Sequence, residues 1–337
     1  MKFINDIVFQ PPGVQDSTYK YLLMLRNQDV MEYVLKEKSP NKIYYLHCKA
    51  PTLSTKPYKD FVILYNHGNA EDLGCACHLL RCMAKTLEVS VLGYDYSGYG
   101  FSGFPSSEVK TSPTEKEVYS DADCIYTHVT TKLGYHPKKV ILMGRSVGGG
   151  PTCYLAQKHH TEVAGVILQS TFTSCFNVVS NCLPHCLPCM DLFPNYKRVK
   201  KVLGCPVLLM HGDADTVVPF ECSQKLMTIF EKSRRRAYEK AEKKIKKMSK
   251  SSSPNGSSHG SSAPPAREGE AVNLFYPLRD YTKSTTAQTD LERLGIFYKW
   301  FEGSDHNNMN RKSSPFSQKR SFDFSDFAMS LINAHSL

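Results

Sequence analysis

The amino-acid sequence predicts an α/β fold built on one mostly parallel, doubly wound sheet of about eight strands. Between residues 42 and 230, short runs rich in Val, Ile and Leu alternate with longer segments of helical periodicity. These runs are apolar on both faces, which is typical of parallel strands covered by helices on both sides. At 337 residues, the chain is long enough for one such domain with a sizeable core.

The individual elements follow from the apolar runs and from the segments between them. The predicted strands are residues 43–48, 61–68, 90–96, 139–144, 163–170, 206–212 and 295–303. The predicted helices are residues 73–87, 115–133, 149–159, 220–230 and 323–334. We expect residues 1–230 and 294–337 to form a single domain, with a small cap-like segment at 171–200.

Residues 231–293 interrupt this pattern and are predicted to be an insertion. Residues 231–250 contain ten Lys or Arg against three Glu and carry most of the net charge of +10. The later part is rich in Ser, Gly and Pro, which cannot form a core, so we expect the insertion to be disordered in part. Because the rest of the chain is nearly balanced in charge, we expect no nucleic-acid partner for the globular body.

The basic segment 231–250 also has a helical pattern. Its apolar residues recur at steps of three and four, at Ala237, Tyr238, Ala241, Ile245 and Met248. This spacing predicts a helix with a thin apolar stripe and a cationic face. Three interpretations stay open: a solvated extension of the preceding helix, contact with an anionic membrane surface, and a nuclear-localisation or RNA-binding role.

The first residues and the cysteine content favour a cytoplasmic protein, with peripheral attachment to the cytosolic face of membranes left open. The segment MKFINDIVFQPPG breaks its apolar patch with polar residues and prolines, so we expect no signal peptide. No stretch approaches the ~20 uninterrupted apolar residues of a membrane-spanning helix. Most of the twelve cysteines are therefore expected to be reduced and buried. The spacing in CLPHCLPC, residues 182–189, matches no common zinc template, so we expect no metal.

A candidate nucleophile follows the predicted strand 139–144. Gly144-Arg145-Ser146-Val147-Gly148 fits the pattern G-x-S-x-G, and a helix is predicted directly behind it. In this strand-to-helix turn, a serine is held in strained backbone geometry with its hydroxyl group accessible, and small neighbours let the chain double back. Ser146 is therefore the predicted nucleophile.

A serine nucleophile needs a histidine base and an acid that orients it, which follow the serine in this order of elements. His306 directly follows the last predicted strand, at the sheet edge where Ser146 is expected, and is the predicted base. The loop HGDADTVVP offers two acids, Asp213 and Asp215. We prefer Asp215, which lies deeper in the loop, and expect Asp213 and Asp305 to stabilise loops.

The oxyanion of an acyl-transfer reaction needs two N–H donors. One is expected from Val147, at the start of the helix behind Ser146. The segment LYNHGNAED ends an earlier strand, and its Gly68 would let the backbone approach a reacting carbonyl group. Asn69 is the preferred second donor, with Ala70 as the alternative, and His67 is expected to brace the loop.

Five motifs carry a family resemblance: NHGNAEDLG, YDYSGYGFSG, GRSVGGGPT, CPVLLMHGDADTVVP and EGSDHNN. Together, in this order, they resemble the α/β-hydrolase domain-containing protein 17 family of depalmitoylases and the related Bem-forty-six-like hydrolases. The resemblance covers about residues 40–230 and 294–309. It implies the α/β-hydrolase fold and hydrolysis of the thioesters that link palmitate to protein cysteines. It also implies a catalytic triad and two oxyanion donors, at Ser146, Asp215, His306, Asn69 and Val147.

Two features bear on the substrate. Arg145 stands where the depalmitoylases usually have Gln. In this respect the sequence resembles the Bem-forty-six-like relatives, which have Arg. The cap-like segment is apolar, and its side chains either line a site for an acyl chain or pack on the sheet: Phe172, Phe176, Leu183, Leu187 and Leu192.

The leading hypothesis is a serine hydrolase that cleaves acyl esters or thioesters through an acyl-enzyme, with palmitoylated proteins as the preferred substrates. The alternatives are a carboxylesterase or lipase for small or lipid esters, a serine peptidase, and a non-catalytic scaffold that binds membranes or partners. The mechanism requires no metal or organic cofactor. The sequence leaves the oligomeric state open.

Overall fold

The structure is a computed structural model that describes residues 5, 8–12, 24, 31–36, 41–103, 113–179, 191–251, 291 and 294–307. An eight-stranded sheet with the order β1-β2-β4-β3-β5-β6-β7-β8 forms its centre. The strands are β1 (Met31–Leu35), β2 (Lys42–Cys48), β3 (Val62–Asn66), β4 (Ser90–Tyr94), β5 (Val140–Arg145), β6 (Gly165–Gln169), β7 (Val207–Gly212) and β8 (Ile296–Phe301). Strand β2 pairs antiparallel with β1 and β4, and the other five pairs are parallel.

The mostly parallel sheet confirms the predicted fold class. Each of the seven predicted strands overlaps one of strands β2 to β8. Strand β1 was not predicted, because it lies at the edge of the sheet and most of its apolar side chains are not buried. Tyr33 and Leu35 in this strand are 49% and 61% exposed.

Helices cover the sheet and connect its strands. They are α1 (Leu73–Leu87), α2 (Gly100–Gly103), α3 (Glu115–Thr131), α4 (Gly149–His159), α5 (Cys175–Val179), α6 (Asn195–Arg198) and α7 (Glu221–Ser251). Two of them begin at side-chain caps, where Asp72 accepts from Cys75 N–H and Thr114 accepts from Glu117 N–H. Helices α1 and α4 coincide with the predicted segments 73–87 and 149–159. The predicted helix 323–334 lies outside the described residues.

The central strands are apolar throughout because each feeds two cores. Successive side chains of a strand point to opposite faces. In β3, Val62 and Leu64 pack in the core under α3 and α4, whereas Ile63 and Tyr65 pack in the core under α1. The same alternation holds in β5, which explains why these runs lack the polar positions of a half-exposed strand.

Helix α7 is much longer than the predicted helix 220–230. It continues without interruption to Ser251 and therefore includes the basic segment 231–250. This agrees with the interpretation of that segment as an extension of the preceding helix. None of the helices in the described part of the chain is long and apolar enough to cross a membrane.

Candidate functional site

One edge of the sheet gathers the loops that carry the predicted site residues. Strands β3, β5, β7 and β8 are parallel neighbours or near neighbours in the sheet, so their carboxyl ends lie at the same edge. The loop with Asn69 follows β3, Ser146 follows β5, Asp215 follows β7, and His306 follows β8. This edge is the usual position of ligand sites in parallel sheets.

Ser146 lies in a strained turn between β5 and α4. Its φ angle is +53°, in the left-handed region that a residue with a side chain rarely adopts. A single 3₁₀ turn, Ser146–Gly148, joins the strand to the helix. The Thr171 hydroxyl group donates to the Ser146 carbonyl oxygen at 2.7 Å, which helps to hold the turn.

The two glycines of G-x-S-x-G are explained by close backbone contacts. A Cβ atom on Gly144 would lie 2.3 Å from the Gly148 carbonyl oxygen. A Cβ atom on Gly148 would lie 2.1 Å from the carbonyl oxygen of Asn66, at the end of β3. The turn can therefore close on itself and against the neighbouring strand only with glycine at both positions.

His306 and Asp215, the predicted base and acid, are hydrogen-bonded. Nδ1 of His306 lies 2.7 Å from Oδ2 of Asp215, and both residues are largely buried. The other carboxylate oxygen of Asp215 accepts from the backbone N–H groups of Val217 and Val218, at 2.9 Å and 2.8 Å. An acid held in this way fixes the imidazole ring and keeps the proton on Nδ1.

A second histidine, His211, also contacts Asp215 and was not expected from the sequence. Its Nε2 lies 3.2 Å from Oδ2 of Asp215 and 3.0 Å from the carbonyl oxygen of Val218. Its Nδ1 lies 2.6 Å from the hydroxyl group of Ser223. Since a carbonyl oxygen only accepts, Nε2 of this buried ring carries the proton and donates.

These contacts keep Asp215 ionised. Burial by itself would raise the pKa of the Asp215 carboxyl group. The hydrogen bonds from His211, His306 and the Val218 N–H outweigh burial and hold the pKa well below its usual range. The carboxylate therefore keeps its negative charge beside His306 at every pH at which the protein would act.

The other two acids of these loops have backbone partners. Oδ1 of Asp213 accepts from the Gly303 N–H at 2.6 Å and so joins the loops that follow β7 and β8. Oδ1 of Asp305 accepts from the backbone N–H of the next residue, His306, at 2.6 Å and from the Thr216 N–H at 3.2 Å. Neither carboxylate has a hydrogen bond to the His306 ring among the described residues.

The loop after β3 presents the predicted oxyanion donors. Ala70 has a φ angle of +52°, so the chain reverses direction directly after Asn69. The Asn69 side chain is occupied: Nδ2 donates to Val8 O at 2.8 Å, and Oδ1 accepts from Gln10 N–H at 2.9 Å. Within the described part of the chain, the backbone N–H groups of Asn69 and Val147 have no hydrogen-bond acceptor.

Arg145 connects the three loops around Ser146. Its Nη1 forms a salt bridge with Glu71, whose other carboxylate oxygen accepts from the Gly68 N–H at 2.8 Å. Its Nη2 donates to the carbonyl oxygen of His306 at 3.3 Å and to Oδ1 of Asn307 at 2.8 Å. The residue before Ser146 thus contacts both the loop with Asn69 and the loop with His306.

His67 braces the loop after β3 and is separate from the His306–Asp215 pair. Nδ1 donates to the Gly68 carbonyl oxygen at 2.8 Å, and the ring packs on Tyr96 with a centroid distance of 4.0 Å. Nε2 is buried and has no hydrogen-bond partner in the described part of the structure. Burial lowers the pKa of His67 to about 4, because protonation would bury an unpaired N–H group.

The lowered pKa of His67 predicts a loss of stability in mild acid. The unfolded chain takes up a proton near pH 6.5 and the folded chain only near pH 4, so the stabilisation is lost as pH falls between these values. This group should lower the free energy of unfolding by about 2 kcal/mol between pH 7.5 and pH 5. Urea unfolding at both pH values should show a shallower pH dependence for His67→Gln than for the wild type. Equal pH dependence in both would contradict the assignment, whatever the variant's own stability.

Three of the five predicted cap residues lie in the described part of the structure. Phe172 and Leu192 are buried in the core under α3 and α4, and the Phe172 ring lies 6.4 Å from that of Phe193. Phe176 is half-buried on α5. Leu183 and Leu187 lie outside the described residues, as do the other residues of the CLPHCLPC cluster. Elsewhere, in the described ranges, no group of three or more His, Cys, Asp or Glu could hold a metal ion.

Comparisons with known proteins agree with this architecture. Residues 58–199 match a family model described as serine aminopeptidase, S33. A crystal structure of an α/β hydrolase from Vibrio vulnificus superposes with a TM-score of 0.53 at 18% identity, over 72% of this chain and 92% of that chain. This structural similarity shows that the fold is that of the α/β hydrolases.

Sequence relatives give the family. The chain is 31% identical over 246 residues to α/β hydrolase domain-containing protein 17B of Homo sapiens. The aligned region covers 69% of this chain and 81% of the relative. The corresponding protein of Xenopus laevis is 34% identical over 246 residues, with the same coverage. The chain is thus an α/β hydrolase and belongs to the α/β-hydrolase domain-containing protein 17 family.

Proposed function

We propose that this protein is a serine hydrolase that cleaves acyl esters or thioesters, with palmitoylated proteins as its substrate class. One observation carries the proposal. The pair of His306 and Asp215, 2.7 Å apart, lies at the same sheet edge as a serine held at φ +53°. A strained serine at the same sheet edge as a histidine with an oriented ring is the arrangement that nucleophilic acyl transfer needs.

In the proposed mechanism, Ser146 Oγ attacks the acyl carbonyl carbon while His306 takes its proton. Because Nδ1 of His306 is bonded to Asp215, Nε2 is the atom that accepts this proton. The ionised Asp215 stabilises the imidazolium ion that forms. His306 then donates the proton to the departing thiol or alcohol. The acyl group stays on Ser146 until a water molecule, activated by the same histidine, releases the fatty acid.

The negative charge on the carbonyl oxygen would be stabilised by the N–H groups of Asn69 and Val147. Gly148 packs against the carbonyl oxygen of Asn66, so the turn with Val147 is in contact with the strand that leads to Asn69. Preorganised donors of this kind typically contribute about 10²–10³-fold each to kcat.

The acyl preference is supported by the family and by the apolar residues near the cap. The resemblance to the depalmitoylases implies palmitoyl thioesters, and half-buried Phe176 would present an apolar surface to such a chain. The serine aminopeptidase description of the matched family model makes peptide hydrolysis the second candidate activity. Both activities share the acyl-enzyme chemistry, so the substrate must be tested directly.

The first experiment is labelling with a fluorophosphonate probe. We expect the native wild type to be labelled, and Ser146→Ala and heat-denatured protein not to be labelled. Palmitoyl thioesters, oxygen esters of the same acyl chain and aminoacyl amides should then be compared by kcat/KM. Equal labelling of Ser146→Ala, or no labelling of folded wild type, would overturn the catalytic assignment. Faster cleavage of aminoacyl amides than of palmitoyl thioesters and esters would overturn the substrate class alone.

A further inference from the structure

The second half of helix α7 extends away from the globular body, and we call residues 235–248 the basic arm. Helix α7 begins near the candidate site, where Ser223 contacts His211 at the end of β7. It then runs back along the sheet, antiparallel to β7. At 1.5 Å per residue, the basic arm adds about 20 Å to the helix beyond the point where it leaves the body.

Arg234 marks that point. It is 4% exposed, and its guanidinium group donates to four backbone carbonyl oxygens: those of Val202, Cys205, Leu294 and Gly295. Cys205, Leu294 and Gly295 lie within two residues of the start of β7 or β8, and Val202 lies five residues before β7, so the contacts are at the amino ends of the two strands. The basic arm therefore starts at the sheet edge opposite the one that carries Ser146, Asp215 and His306.

The basic arm is cationic, and most of its residues are exposed. Every residue in it is exposed or half-buried. It contains seven exposed cations and two glutamates, Glu239 and Glu242, and Arg235 pairs with Glu231 just before it. The cations are Arg235, Arg236, Lys240, Lys243, Lys244, Lys246 and Lys247.

An apolar stripe runs along the same segment. Tyr238, Ile245 and Met248 are 39%, 45% and 57% exposed. With Ala241 they follow Arg234 at steps of three and four, so they continue the helix face that packs on the body at Arg234. On the opposite side of the helix lie cations, among them Arg236, Lys243 and Lys247.

We propose that the basic arm binds the surface of an anionic lipid bilayer. A helix with a strongly cationic face and an apolar stripe lies in the interface, with its apolar residues in the headgroup region and its cations on the anionic headgroups. Charge alone would also suit an RNA, but the large apolar side chains beside the cations favour the lipid. Because the arm starts at the edge opposite the candidate site, this contact is separable from catalysis.

The test is co-sedimentation of the full chain with vesicles. Phosphatidylcholine vesicles are compared with vesicles that also contain phosphatidylserine, at low and high salt. We expect at least tenfold stronger partitioning onto the phosphatidylserine vesicles, with most of it lost at high salt. Equal partitioning onto both vesicle types would overturn the proposal.

Two variants separate the contributions of charge and apolar stripe. Changing Lys240, Lys243, Lys244 and Lys247 together to Gln should reduce partitioning at least tenfold. Changing Tyr238, Ile245 and Met248 together to Ser should reduce it severalfold and leave the salt dependence in place. The matched control changes four exposed lysines of the body, Lys56, Lys59, Lys138 and Lys201, to Gln and should have little effect. A control variant as weak as the arm variant would assign binding to net charge and overturn the proposal.

Far-UV circular dichroism shows whether each variant is folded, independently of the proposed function. Fluorophosphonate labelling then compares the candidate site, and all variants should be labelled like the wild type. Loss of vesicle binding with labelling retained supports a separate docking surface. Tighter binding of a single-stranded RNA oligonucleotide than of vesicles at the same salt would overturn the choice of lipid.

Discussion

Exchanging Asp215 for asparagine is expected to lower kcat about 10⁴-fold on an activated thioester, with KM changed little. Asp215 accepts from the His306 ring at 2.7 Å and from two backbone N–H groups. An asparagine that keeps the backbone contacts through its oxygen presents an NH₂ group to Nδ1 of His306. The ring then carries its proton on Nε2, where it can no longer accept one from Ser146. Steady-state kinetics on the purified variant measures the effect.

The matched control is Asp213→Asn. Asp213 contacts the Gly303 N–H and not the His306 ring. We therefore expect the kcat of the Asp213→Asn variant to stay within about fivefold of that of the wild type. Adding Asp215→Asn to Ser146→Ala should cost no further activity, because residues that act as one unit are not additive. A larger loss of kcat in Asp213→Asn than in Asp215→Asn would reverse the choice between the two acids.

Removing either partner of the Arg145–Glu71 salt bridge is expected to lower kcat/KM by about 10- to 100-fold. Arg145 holds the loop with Gly68 through Glu71 and the loop with His306 through its second amine. Without this salt bridge, the proposed donor Asn69 and the proposed base His306 can each move relative to Ser146. Small displacements of such groups lower the rate of acyl transfer. The pair is largely buried, at 12% and 21% side-chain exposure, so solvent screens it only partly.

A double-mutant cycle measures this coupling. The variants are Arg145→Gln, Glu71→Gln and the two combined. The double variant should lose no more kcat/KM than Arg145→Gln alone, because both single changes break the salt bridge. Arg145→Lys should rescue little, since a single ammonium group cannot reach Glu71, the His306 carbonyl and Asn307 at once. The exposed pair of Lys139 and Asp60 is the control, and Lys139→Gln should leave activity unchanged. Additive losses in the cycle would show that the two residues act independently.

The sequence predicts the sheet well because its central strands are buried on both faces. Seven strands could be found as apolar runs, and the order of motifs along the chain leads to Ser146, Asp215 and His306. Strand β1 could not be found this way, since an edge strand with Tyr33 and Leu35 in solvent has no buried pattern. Helix α7 joins two segments that the sequence predicts separately, and the thin apolar stripe of the second left its continuity with the first as one of three interpretations.

Two parts of the candidate site depend on contacts between distant residues. His211 ends a predicted strand and looks like any polar residue at a strand terminus. Its contact with Asp215 exists only because the chain folds back to bring Val218 and Ser223 against the ring. Glu71 precedes helix α1, whereas Arg145 ends strand β5, with one strand and three helices between them, so no local pattern joins the two residues. A local pattern records burial and turns, whereas these contacts depend on how the loops meet in space.

The anchoring of Arg234 also has a consequence for how this chain could change in evolution. Its Nη1 donates to the carbonyl oxygens of Leu294 and Gly295, at 2.6 Å and 3.1 Å, so the chain leaves the body and returns to it within reach of one side chain. The start of β8 is therefore positioned by the body and not by the length of the intervening chain, and longer closed loops cost little additional entropy. This junction can accept inserts of different length and composition without changing the register of the sheet, so new recognition segments can be exchanged here while the hydrolase body stays the same.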